Sequence, residues 1–255
     1  MSTIRLALLL VLSLAAVGVH AARPRDRERD NEAAVANVNL GAGYLRQGRL
    51  DLAMERLQRA LKQNPRLADA HSVIAIAYDQ LGMLDEAEMH YKRATQLEPG
   101  NSASANAYAV FLCRQNRWPD AEPFFKRAAE NPTYATPEVA FTNAGVCARS
   151  AGAADKAAEY FRSALARNPT FPDALTNMME MSYEGGNFLQ ARAFVQRFLE
   201  SQMPTAPVLL MCVNVETQLK NHEAADRCAA KLRSGFQGSP ELAKLEEEQQ
   251  RRDGR

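Results

Sequence analysis

Apolar and polar residues alternate along residues 34–240 with the spacing of amphipathic helices. In "LGAGYLRQGRLDLAMERLQRALKQNP", Leu40 to Pro65, apolar residues fall three and four apart in two runs. That interval puts them on one face of each of two helices of about a dozen residues. A short turn centred on Gly48 separates the runs, and Asn64-Pro65 closes the second. Similar pairs follow along the chain, with turns at "QLGML", "RQNRW", "SAGAA" and "EGGNF". β-branched runs are scarce, so the pattern predicts helices and no sheet.

The pairs recur with a period of 34. With Leu40 as the seventh position, the first repeat spans 34–67. It has Gly41 at position 8, Tyr44 at 11, Ala53 at 20, Leu57 at 24, Ala60 at 27 and Pro65 at 32. The second, 68–101, places Ala75, Tyr78, Ala87, Tyr91, Ala94 and Pro99 at those offsets. The third, from 102, has Ala109, Leu112, Ala121, Phe125 and Ala128; its proline, Pro132, comes one place early. The fourth, from 138, has Gly145, Ala148, Ala157, Phe161, Ala164 and Pro169. The fifth, from 172, keeps Ala191 but has Met179 at position 8. The sixth, from about 206, is degenerate, with Ala225 and Leu232 marking its second helix.

Small residues at 8, 20 and 27 let two helix axes approach, and bulky residues at 7, 11 and 24 fill the space around them. Glycine near position 15 allows a left-handed residue that ends the first helix. The proline at 32 stops the second. One such hairpin cannot bury its apolar face, so neighbouring hairpins must stack. The offsets resemble those of the tetratricopeptide repeat (TPR). The resemblance implies an all-α, right-handed α-solenoid of about six helix-turn-helix repeats, its concave face built from the first helices.

The ends depart from the pattern. Arg5 precedes the apolar run "LALLLVLSLAAVGV", which is too short to span a bilayer comfortably. Val19 and Ala21 sit where a signal peptidase needs small residues, so residues 1–21 read as a secretory signal; an uncleaved anchor is the alternative. Residues 22–33, "ARPRDRERDNEA", read as a charged linker, 34–240 as the repeat array, and 241–255 as a charged tail that extends the last helix and frays.

Composition narrows the chemistry. Lys plus Arg number 31 and Asp plus Glu 30, a balance that argues against a nucleic-acid partner. His20, His71, His90 and His222 have no His or Cys at i+3 or i+4, so no metal site and no cofactor is expected. No nucleophile motif is present, and the carboxylates read as solvated faces, so no enzyme is expected. Four cysteines remain. Cys113 and Cys147 lie late in adjacent first helices, and Cys212 and Cys228 face each other across one hairpin. Both disulfides are feasible, but four cysteines permit three pairings, and buried free thiols are the other reading.

That leaves the concave groove. In a TPR array, positions 2, 5, 6, 9, 12 and 13 of the first helix face or rim it. Asn39, Asn143 and Asn177, all at position 6, can hydrogen-bond an extended peptide backbone, and Asn106 lines the groove beside them. Ile76, Val110 and Val146 form an apolar floor, and Leu45 lines the groove in the first repeat. Arg46, Asp79, Gln80, Arg114, Thr142, Arg149, Glu180 and Tyr183 complete the lining. The competing reading has the asparagines satisfying nearby helix backbone and the valines packing between repeats.

A narrower resemblance rests on the stretch from "LGAGYLRQGRL" through "NAYAVFLCRQNRW", on "FTNAGVCARSAG" and on "NPTFPDALTNM". It is to the type IV pilus biogenesis and stability proteins, the PilF/PilW-type pilotins. Membership implies a periplasmic, outer-membrane-associated adaptor that binds the pilus secretin or stabilises the fibre. It implies secretin contact on the concave surface of the early repeats, where Leu45, Ile76 and Asn106 are the first residues to test; a monomer is expected. The junction "VGVHAARPRD" lacks the lipid-acceptor Cys usual in that family. The rival reading is a periplasmic TPR adaptor for another envelope complex, such as cell-wall synthesis.

Overall fold

The computed structural model describes residues 24–253; the expected signal segment, 1–21, lies outside them. Thirteen helices follow one another with no strand among the described residues. They are α1 (Pro24–Arg46), α2 (Leu50–Gln63), α3 (Ala68–Gln80), α4 (Leu84–Leu97), α5 (Ser102–Arg114), α6 (Trp118–Ala129) and α7 (Pro137–Ser150). Then come α8 (Ala154–Arg167), α9 (Pro172–Glu184), α10 (Phe188–Ser201), α11 (Ala206–Gln218), α12 (His222–Gly235) and α13 (Pro240–Asp253).

Consecutive helices pair as six antiparallel hairpins, α1/α2 to α11/α12, and each hairpin packs on the next. One turn serves all six. The residue at position 15 has positive φ in every repeat: Gly48, Gly82, Asn116, Gly152, Gly186 and Lys220. The following N–H donates to the carbonyl of position 11 each time, from Arg49 to Tyr44 at 2.9 Å through Asn221 to Glu216 at 2.9 Å. This six-residue closure is the Schellman arrangement, which satisfies carbonyls that a helix end would otherwise leave unpaired.

The hairpin interior is made of the small and large positions anticipated from the sequence. Ala53, Ala87, Ala121, Ala157 and Ala191 are fully buried, as are Ala60, Ala94, Ala128 and Ala164. Leu57, Tyr91, Phe125 and Phe161 fill the spaces they leave. Polar ties cross between repeats: Ser72 bonds Ser104 at 2.7 Å, and Tyr108 and Arg117 both reach Glu88, at 3.1 and 2.9 Å.

Two terminal stretches differ from expectation. The run read as a linker is helical from Pro24 and continuous with α1. Proline suits a first helical position, Arg and Glu are good helix formers, and extending an existing helix costs far less than nucleating one. At the other end, α13 does not prolong α12. Gly238 takes φ 78°, the Ser239 hydroxyl accepts from the Leu242 N–H, and the chain turns back. Helix α13 lies against α11 and α12, where the first helix of a seventh repeat would lie. Leu245 is buried there, so the charged tail covers the apolar end of the stack.

Candidate functional site

The direction of curvature follows from which helices meet. Each odd-numbered helix touches the next odd-numbered one, from α1·α3 to α11·α13, whereas no two even-numbered helices from α2 to α12 approach each other. The stack is therefore compressed along the odd-numbered helices, and these line its concave side.

On that side Ile76 in α3 and Val110 in α5 are half-buried, and Val146 in α7 is 42% exposed. They occupy the same repeat position and form an apolar strip across three hairpins. Asn39 is exposed on α1. Asn106 and Asn143 are brought together, the Asn143 amide donating to Asn106 Oδ1 at 3.2 Å. Asn177 is engaged by its own helix, its Nδ2 donating to the Asp173 carbonyl at 2.8 Å. Three of the four asparagines thus have internal partners.

Leu45 does not belong to the groove. It is buried among Ala53, Leu57, Ile74 and Ala77. Position 12 follows position 8 by one helical turn, so both point at the second helix of the hairpin. Position 8 is the close-packing site, Gly41 in this repeat, and Leu45 extends the same contact.

Beyond Val146 the groove changes character. Arg149 reaches from α7 to three residues of α9, donating to Glu180 at 2.8 Å, Glu184 at 2.7 Å and the Asn177 Oδ1 at 3.5 Å. Arg114 pairs with Asp79 between α5 and α3. Arg149, Glu180, Arg114 and Asp79 were legible as groove lining; Glu184 was not, and neither was the pairing across repeats. The signal for it is opposite charge one repeat apart, 35 residues for Asp79 and Arg114. The apolar strip over α3, α5 and α7 gives way to a self-paired polar stretch at α9.

The disulfides rest on geometry that spacing alone left open. Cys113 and Cys147 are bonded, joining α5 to α7 with Cα atoms 5.6 Å apart. Cys212 and Cys228 join α11 to α12 at 6.1 Å. Both separations lie in the ordinary disulfide range. The first bridge adjoins the groove and ties the two hairpins that carry Val110 and Val146. Among the described residues no three metal-ligating side chains converge.

An apolar strip edged by asparagines and paired charges lies on the hollow side of the stacked helical hairpins. Three tetratricopeptide repeat models match the chain, over residues 31–97, 74–136 and 148–208. The chain belongs to the tetratricopeptide repeat family.

Within it, one similarity runs along most of the molecule. The type IV pilus assembly protein PilF of Pseudomonas aeruginosa is 26% identical over 213 residues, 84% of each chain. The solved structure of PilW, described as a widely conserved type IV pilus biogenesis factor, superposes with a TM-score of 0.72 at 28% identity. It covers 84% of this chain and 99% of its own. The solved Pseudomonas aeruginosa PilF gives a TM-score of 0.73 at 25% identity, covering 86% and 99%.

Proposed function

We propose that this protein is a non-enzymatic scaffold of type IV pilus biogenesis that holds an extended segment of the pilus secretin in its concave groove. The observation that carries the reading is the near-complete coverage of both pilus factors: 99% of PilW and 99% of PilF find an equivalent here. A shared isolated repeat would leave most of those chains unmatched. The groove supports the reading chemically. Ile76, Val110 and Val146 offer dry contacts to alternate side chains of an extended segment, and the asparagines beside them suit its backbone.

In this reading the protein acts as a monomer in the periplasm, delivered by its N-terminal segment and held near the outer membrane through its partner. No described helix is long and apolar enough to cross a membrane.

The test is Val146→Asp, because Val146 is the most exposed member of the strip. The variant should keep its helical circular dichroism and melting temperature while secretin capture falls by about 1–3 kcal/mol, roughly 5- to 150-fold. Deleting the protein should abolish twitching and reduce secretin multimers while monomer persists. Unchanged multimers in the deletion strain would refute the assignment.

A further inference from the structure

The hairpin α3/α4 holds a pair of histidines that the groove does not use. His71 Nδ1 lies 2.9 Å from His90 Nδ1, and His71 Nε2 lies 3.2 Å from the carbonyl of Pro65. The arrangement dictates the protons. A carbonyl only accepts, so His71 Nε2 carries its hydrogen, and His71 Nδ1 presents a lone pair. His90 Nδ1 must then donate to it, which leaves His90 Nε2 unprotonated. Tyr78 packs its ring on His90 at 5.5 Å and holds the imidazole in place.

One neighbour, the Pro65 carbonyl, favours positive charge on the pair, and the cavity lining holds no anion. A cavity of about 360 Å³ opens beside the pair, lined by His71, His90, Met89, Lys92, Arg93 and Gln96. Its charged members, Lys92 and Arg93, are both cations from α4, and Lys92 is tied to Glu88 at 2.8 Å. The turn before α3 contributes only the Pro65 carbonyl, and neither α1, α2 nor α5 lends a charged side chain to the lining. Burial lowers His71, as does the neighbouring Arg93, against the opposing pull of the Pro65 carbonyl. Burial, with the charge of His71, pushes His90 down to about 4.

We propose that His71 and His90 form an acid-sensitive latch that clamps α3 to α4 at neutral pH and releases them as the surroundings acidify. The first proton to enter the pair leaves one Nδ1–H between the two rings, keeping the hydrogen bond but adding a positive charge beside Arg93. The second puts a hydrogen on the other Nδ1, and N–H then faces N–H. Unfolded histidine takes its proton near pH 6.5, so the folded pair lags behind. Stability from the latch is complete above pH 6.5 and is lost as pH falls toward 4, because the open hairpin binds more protons than the closed one. A compartment that follows the external medium would expose repeat two to that change.

The test combines histidine titration by NMR with amide exchange along the full chain. One imidazole should titrate near pH 4. Protection of α3 and α4 amides, referred to those of α7 and α8, should fall by up to about tenfold as the pH drops by 1 within that window. His90→Asn, whose amide nitrogen replaces the Nδ1 donor, should remove the difference. Both imidazoles titrating near 6.5 would overturn the proposal. So would α3/α4 protection that tracks α7/α8 throughout. Both readouts exist in the unmodified protein, so they decide even if the variant fails to fold.

Discussion

Gly145 in α7 lies so close to Phe161 in α8 that a Cβ placed on it would stand 2.6 Å from the ring. The same relationship joins Gly41 to Leu57, also at 2.6 Å. These are positions 8 and 24 of their repeats, and the pair trades volume along the array. Ala75 faces Tyr91 and Ala109 faces Phe125, whereas Met179 is matched by Val195 and Val213 by Ala229, every member buried. Where one side grows, the other shrinks, as close packing requires. The absent glycine of repeat five is thus a compensated exchange.

Gly145→Ala should therefore destabilise. Overpacking costs about 1–3 kcal/mol and outweighs the roughly 1 kcal/mol that alanine contributes inside a helix. Gly43→Ala is the control, since the nearest neighbour of a Cβ there is the tip of Arg46 at 3.9 Å. That variant should gain about 0.5–1 kcal/mol. Urea unfolding midpoints measure both.

Lys220 occupies the left-handed position of the sixth turn, at φ 58°. Four of the other five turns use glycine there, and Asn116 serves in the remaining one. A side chain at such an angle costs about 1–2 kcal/mol, partly offset by the larger unfolded-state entropy of glycine. Lys220→Gly should raise stability by about 0.5–1 kcal/mol, read as a higher melting temperature with unchanged helicity.

Glu216 stands at position 11 of repeat six, buried, and accepts from Arg192 Nε at 2.9 Å and Nη2 at 2.6 Å. Glu216→Ala strands the guanidinium and should cost about 3 kcal/mol. The double change Arg192→Met with Glu216→Leu restores an apolar contact like Leu112 in repeat three. It should recover most of that loss, and a double-mutant cycle by chemical denaturation reports the coupling.

Glu88 gives the array a second acid response. Burial raises its affinity for a proton, but hydrogen bonds from Lys92, Arg117 and Tyr108 outweigh that and hold it down to about 2. Because the folded value is depressed, its stabilisation is complete above about pH 4.5 and drains away as pH falls toward 2. Glu88→Gln should flatten the stability profile across that interval and leave the 6.5-to-4 window of the histidine pair unchanged. Thermal melts at stepped pH separate the two.

The sequence by itself determined the helical hairpin, its period and the direction of stacking. Those depend on residue size and backbone freedom at fixed offsets, as at Ala87, Phe125 and Gly152, and such local properties survive without neighbours. Only the tertiary structure decided which side chains share space across repeats. Leu45 turned inward because it continues the helix face of Gly41, and Asn177 went to its own backbone. Arg149 crossed to Glu180, and α13 folded back to cover Leu245. Each outcome depends on the relative rotation and spacing of packed helices, a quantity set by all their contacts together and carried by no single stretch of chain.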